Sequence, residues 1–133
     1  MVTPPRLQGL RVLVVDDDHD SCELMSLVLE SHAAEVKTAF SVRHALEVMK
    51  QFKPDVLVSD IAMPGEDGYS LIGKVRTLRR KSIPAVAVTA VMEEGGSRDA
   101  LIAGFDRCLA KPLDLDDFVA VISNLVEYHS NSN

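Results

Sequence analysis

Residues 10–17 read Leu10-Arg11-Val12-Leu13-Val14-Val15-Asp16-Asp17, a short run, apolar apart from Arg11, that ends in two carboxylates. Three later stretches have the same shape. Val56-Leu57-Val58 leads through Ser59 to Asp60, Ala85-Val86-Ala87-Val88 stops at Thr89, and Cys108-Leu109-Ala110 precedes Lys111. Apolar runs this short, set between helix-like stretches, mark the buried strands of a parallel sheet. Such a sheet gathers ligand sites outside the carboxyl ends of its strands. The spacing therefore predicts that three carboxylates, one hydroxyl and one ammonium meet on one edge. Acids of this kind bind a hard cation, while a hydroxyl and a lysine hold the oxygens of an anion. The expectation is a site for phosphoryl chemistry supported by Mg²⁺.

A fifth strand-like run covers residues 35–38, and helical patterns fill the gaps. Val42, Ala45, Leu46 and Met49 fall on one helix face, and Phe118, Val121, Ile122 and Leu125 repeat that spacing in the last helix. Asp114 is placed to cap this last helix, with Asp117 three residues on. Leu24, Leu27 and Val28 mark the first helix, and Leu71, Ile72, Val75 and Leu78 the third. The fourth, near residues 97–103, ends at Gly104, which suits a left-handed C-cap. The result is α/β, a (βα)5 doubly wound three-layer sandwich with five parallel strands. The flavodoxin-like order 2-1-3-4-5 is favoured because it sets the first and third strands side by side, so that Asp17 and Asp60 meet at the switch point. Residues 1–9, with Pro4, Pro5 and Gly9, read as a tail or linker, residues 10–128 as one domain, and residues 129–133 as a fraying Ser/Asn-rich tail.

At 133 residues the chain supports one core. A balance of 14 basic against 20 acidic residues, net −6, argues against direct nucleic-acid contact. No apolar stretch approaches the ~20 residues of a membrane span. Cys22 and Cys108 are too few and too distant for a zinc site or a disulfide framework, which points to a reduced, cytoplasmic setting.

Asp18 and Asp20 continue the acidic run into the first helix turn, where acids suit the helix dipole. Asp16 and Asp17 do not fit that role as well, since a carboxylate pair facing Asp60 repels it and raises at least one pKa unless a cation is present. The strings Val14-Val15-Asp16-Asp17, Ser59-Asp60-Ile61-Ala62-Met63-Pro64-Gly65-Glu66-Asp67-Gly68, Val88-Thr89-Ala90 and Lys111-Pro112 together resemble the receiver domains of two-component response regulators, from about residue 10 to 126. That resemblance implies a phospho-accepting switch. Asp60 takes a phosphoryl group from a phosphohistidine on a histidine kinase or phosphotransfer protein. Asp17, Asp60 and the backbone carbonyl of Ala62 ligate Mg²⁺, with Asp16 acting through a metal-bound water. Thr89 and Lys111 hold phosphoryl oxygens, and the Lys111–Pro112 bond is cis. The opening Thr3-Pro4-Pro5-Arg6-Leu7-Gln8-Gly9-Leu10-Arg11 resembles the linker before a receiver in hybrid sensor kinases, so an excised C-terminal receiver is expected, with a stand-alone regulator as the alternative.

The chain departs from the family pattern at one position. Many receivers carry an aromatic residue three positions before the lysine, where this chain has Cys108. A small thiol packed in the fifth strand cannot swing between solvent and core, so the response is expected to rest on Thr89 and residues 90–96, with the fifth strand nearly still. Ala62 and Val91 offer no group to position an attacking water, which predicts slow self-hydrolysis. His19 reads as an exposed helix-start residue. Two other functions compete: a Mg²⁺-dependent aspartyl phosphatase, for which the chain lacks an Asp-x-Asp strand end and a cap insertion, and a degenerate receiver used only for docking.

Overall fold

The computed structural model describes residues 7–78, 83–90 and 96–131. Five strands alternate with five helices: β1 (Arg11–Val15), α1 (His19–Glu30), β2 (Glu35–Ala39), α2 (Val42–Phe52), β3 (Val56–Asp60), α3 (Gly68–Leu78), β4 (Ala85–Thr89), α4 (Gly96–Ala103), β5 (Arg107–Ala110) and α5 (Leu115–Asn131). All strand pairs are parallel and the order is β2-β1-β3-β4-β5, as expected. Residues 91–95, at the centre of the expected switch loop, lie outside the described residues.

Alternation along the strands splits the core in two. Leu13, Val15, Leu57, Ala85 and Ala87 face α2, α3 and α4, where Val42, Ala45, Met49, Leu71, Ile72, Val75 and Ala100 meet them. Val12, Val14, Val56, Val58, Val86 and Val88 face α1 and α5, against Cys22, Met25, Leu29, Phe118 and Ile122. Burial on both faces is why β3 and β4 read as unbroken apolar runs. Arg11 is accommodated at the start of β1 because its guanidinium lies 4.5 Å from the centre of the Phe52 ring.

The first helix buries a different face from the one its leucines suggest. Cys22, Met25 and Leu29 are inside, whereas Leu24 and Leu27 are 50% and 60% exposed. Leu78 is likewise exposed at the end of α3. The folded chain also starts earlier than residue 10. Leu7 is fully buried on the α1–α5 side, and a tight turn joins it to β1 through the Leu10 amide, which donates to the Leu7 carbonyl. At the other end α5 runs through His129 to Asn131, since Ser and Asn cost a helix only tenths of a kcal/mol each. Its start is as expected, with the Asp117 amide donating to the Asp114 carboxylate.

Arg76 of α3 fastens the edge of the sheet opposite the acidic cluster. Its guanidinium donates to the carbonyls of Ile83 and Gly104 and to Asp106, whose carboxylate accepts from the Ala85 amide. Gly104 sits at φ +127°, a backbone region that favours glycine, and closes α4. Lysine cannot reproduce this planar fork. Arg76→Lys is expected to cost about 2 kcal/mol, read as a lower urea midpoint with an unchanged slope. A midpoint equal to wild type would show that water replaces these bonds at no cost.

Candidate functional site

Register decides what meets at the carboxyl edge. Val15 pairs with Ser59 across β1 and β3, so Asp16 and Asp17 emerge beside Asp60. Oxygens of all three carboxylates lie within 4.8 Å of one another. Their surroundings differ. Asp16 is fully buried, Asp60 is 7% exposed at the end of β3, and Asp17 is exposed. Asp16 accepts the Asp18 amide at 2.9 Å, while its own carbonyl accepts the Cys22 thiol at 3.3 Å. Burial, then the Asp16 charge, pushes that thiol up to about 12, so Cys22 is an inert packing residue.

Lys111 brings the one ammonium found within ion-pair reach of the cluster among the described residues. Its Nζ lies 2.6 Å from Asp16 Oδ2 and 3.7 Å from Asp60 Oδ2. Burial works against the ammonium, but the hydrogen bond to Asp16 and the charges of Asp16, Asp60 and Asp18 outweigh it, so its pKa is raised overall. Asp60 is pushed up to about 6, first by burial and then by Asp16. Lys111 and the backbone amides of Ala62 and Ile61 oppose that shift. Three carboxylates and one ammonium leave a double negative charge, the deficit a divalent cation cancels. An all-oxygen donor set with one exposed member also suits an ion that keeps some of its waters. The residues present fit Mg²⁺.

Thr89 is buried at the end of β4, and its carbonyl accepts the Lys111 amide at 2.8 Å, which fixes the hydroxyl-bearing and ammonium-bearing strand ends side by side. The Lys111–Pro112 peptide is cis. Asp18 caps α1, accepting from the Asp20 amide and the Ser21 hydroxyl, the helix-start role read from sequence. His19 is exposed and stacks on Phe40 with ring centres 3.8 Å apart. Cys108 is half-buried on the α2–α4 side of the sheet, its thiol pKa raised by burial.

The family model of the response regulator receiver domain matches residues 12–123. The chain belongs to that family. This receiver is 39% identical over 117 residues to an uncharacterized 14.6 kDa protein in the sodA1 3′ region of Leptolyngbya boryana, the match covering 87% of this chain and 89% of that protein. It is 36% identical over 107 residues to the sensor histidine kinase RcsC of Escherichia coli K12, covering 80% of this chain and 11% of the kinase. The chain thus spans about a tenth of that relative's length. Among solved structures, the CheY-like receiver domain protein of Methanospirillum hungatei superposes with a TM-score of 0.87 at 25% identity, over 95% of this chain and 100% of that one. Membership makes the chain a receiver module of two-component signalling, and its fold supports a signalling switch rather than a classical enzyme.

One residue of the site carries a role that pattern reading did not assign. The amide of Gly68, the first residue of α3, donates to the Ile61 carbonyl at 2.8 Å, and a Cβ built there falls 2.4 Å from the Asp60 carbonyl oxygen. The helix start is therefore seated directly on the peptide that carries Asp60. Gly68→Ala ordinarily gains up to about 1 kcal/mol in helix propensity, but here the overpacking of about 1–3 kcal/mol is expected to win. A lower melting temperature together with slower phosphate uptake is the expected result; a stabilised variant with normal uptake would refute the tight seat.

Proposed function

We propose that Asp60 is the phosphoryl acceptor of this receiver, that Asp16, Asp17, Asp60 and the Ala62 carbonyl hold Mg²⁺, and that Thr89 and Lys111 hold phosphoryl oxygens. The observation that carries the reading is the position of Asp60: a nearly buried carboxylate at a strand end, steadied by two backbone amides, within ligand reach of two further acids and 3.7 Å from an ammonium. The donor is a phosphohistidine on a histidine kinase or phosphotransfer protein, and the setting is cytoplasmic. No helix among the described residues is long and apolar enough to cross a membrane.

An Asp60 oxygen forms the new O–P bond while the P–N bond to the donor imidazole breaks, and the imidazole keeps the bonding pair and takes up a proton. Mg²⁺, when bound, neutralises charge that builds on the transferring oxygens. Lys111 supplies a second positive group from the carboxyl end of β5, on the same edge, and the Thr89 hydroxyl donates to the anion once it is in place. The Ile61 and Ala62 amides orient the acceptor before the donor arrives. The domain in this way assists its own phosphorylation and, more slowly, its hydrolysis.

Acetyl phosphate with Mg²⁺ is expected to add one base-labile phosphate by intact mass. Asp17 is the exposed member of the cluster, so Asp17→Ala disturbs the metal-free fold little. Mg²⁺ raises the wild-type melting temperature by binding the folded state, and this rise is expected to fall sharply in Asp17→Ala, with phosphate uptake falling alongside. An unchanged Mg²⁺ response would remove Asp17 from the ligand set.

A further inference from the structure

We propose that Tyr69, on the first turn of α3, is the aromatic side chain that carries the state of Asp60 to α4, a role for which β5 offers only Cys108. The proposal rests on Asp60 being the acceptor. Three features place Tyr69 for it. First, its neighbour Gly68 is seated on the Asp60–Ile61 peptide with no room for a Cβ, so a displacement at Asp60 is passed to Tyr69 without slack. Second, Tyr69 is half-buried and packs against the same core as Cys108 of β5 and Ala103 of α4, where α3 meets α4. Third, its phenol is held above the ordinary tyrosine range by burial and then by the nearby Asp99, Cys108 and Asp67, residues of the first turn of α4, of β5 and of the approach to α3.

A tyrosine in such a corner has an apolar body that favours the core and a tip that favours water, so two ring positions compete closely. The thiol at 108 is small, so a larger β5 side chain would crowd the same corner. Leu109, its neighbour on β5, packs on the opposite face of the sheet and does not enter this corner. When the strand end carrying Thr89 closes on a phosphorylated Asp60, the start of α4 shifts past Tyr69, and the ring settles over Cys108. Packed interfaces respond to such small shifts by switching between discrete arrangements rather than by deforming smoothly.

The chain contains no tryptophan and two tyrosines, and the other, Tyr128, is exposed on α5. Tyr128→Phe therefore leaves Tyr69 as the sole emitter. In that variant, acetyl phosphate or beryllofluoride with Mg²⁺ is expected to change tyrosine emission and to reduce its quenching by acrylamide, while intact mass confirms phosphate uptake from acetyl phosphate. Cys108→Phe, which crowds that corner with a second ring, is expected to keep the quenching high in both states. Tyr69→Leu is expected to take up phosphate normally yet lose the change in amide exchange at residues 98–103, and Tyr69→Phe to retain it. Unchanged emission in protein shown by mass to be phosphorylated overturns the relay, as does a full exchange response in Tyr69→Leu. A Tyr128→Phe chain that takes up no phosphate instead overturns the acceptor assignment beneath it.

Discussion

Asp60→Asn is expected to take up no phosphate from acetyl phosphate and, without metal, to be more stable than wild type at neutral pH. The second half follows from the cost of ionising Asp60 in the empty site. Its pKa is about 6 in the folded protein against an ordinary 3.8, because the carboxyl is buried and faces Asp16. Between those values the folded state keeps a proton that the unfolded chain has released. Stability therefore falls as pH rises from about 4 to about 6, and the whole deficit is present above that. Two units correspond to a penalty on the order of 3 kcal/mol. Asparagine has the same shape and no charge, so the variant loses this pH slope and gains up to that amount. In a domain of this size that amounts to several degrees or more in melting temperature. Mg²⁺ narrows the gap by stabilising wild type more than the variant. Phosphate on Asp60→Asn would sink the acceptor role. Equal stability of the two proteins in chelator would show that the ionised carboxyl is not the burden its surroundings indicate.

Much of this site was legible because parallel sheets impose a simple rule. Apolar runs ending at Asp16–Asp17, Asp60, Thr89 and Lys111 fix which residues reach the carboxyl edge, and setting the first strand beside the third brings the acids together. Helix faces were less legible. In α1, residues 24, 27 and 28 and residues 22, 25 and 29 both fit a helical stripe, and the leucines were the louder signal, yet the core takes Cys22, Met25 and Leu29. How α1 docks on the sheet decides between them, and that is a tertiary fact. Leu7 sat among prolines and glycine with no periodicity, so its burial could not be read. The tight seat of Gly68 on Asp60 is a contact between a helix start and a strand end, invisible in a string where glycine also serves as a turn residue. Lys111 was read as a partner for an anion. In this structure its ammonium lies closest to Asp16, a fully buried carboxylate whose charge favours a nearby cationic partner.

That pairing gives Lys111 two separable roles, and Lys111→Ala is expected to move two readouts in opposite directions. In chelator, the substitution leaves Asp16 fully buried with the Asp18 amide but without its charged partner. Breaking such a pair from one side costs about 3–5 kcal/mol, and the partial exposure of the lysine puts the expected loss near the lower end. The sign with pH is definite. The lysine pKa is raised in the folded state, so its contribution is fully present below the ordinary lysine value of 10.5 and is lost only as pH rises through the higher folded value. The lysine's contribution is therefore constant across the neutral range, and the deficit of the variant shrinks at the extremes, in strong alkali as Lys111 of wild type loses its proton and in acid as protonation of Asp60 relieves the cluster. A divalent cation restores the missing charge by another route, so Mg²⁺ should raise the melting temperature of Lys111→Ala more than that of wild type. Phosphate uptake should nonetheless fall in the presence of Mg²⁺, because the group that meets the incoming anion is gone. General unfolding cannot produce this pattern, since it would depress both readouts together. A Mg²⁺-induced rise no greater than in wild type would mean that Lys111 and the cation do not balance the same carboxylates, and the charge account of the site would fail with it.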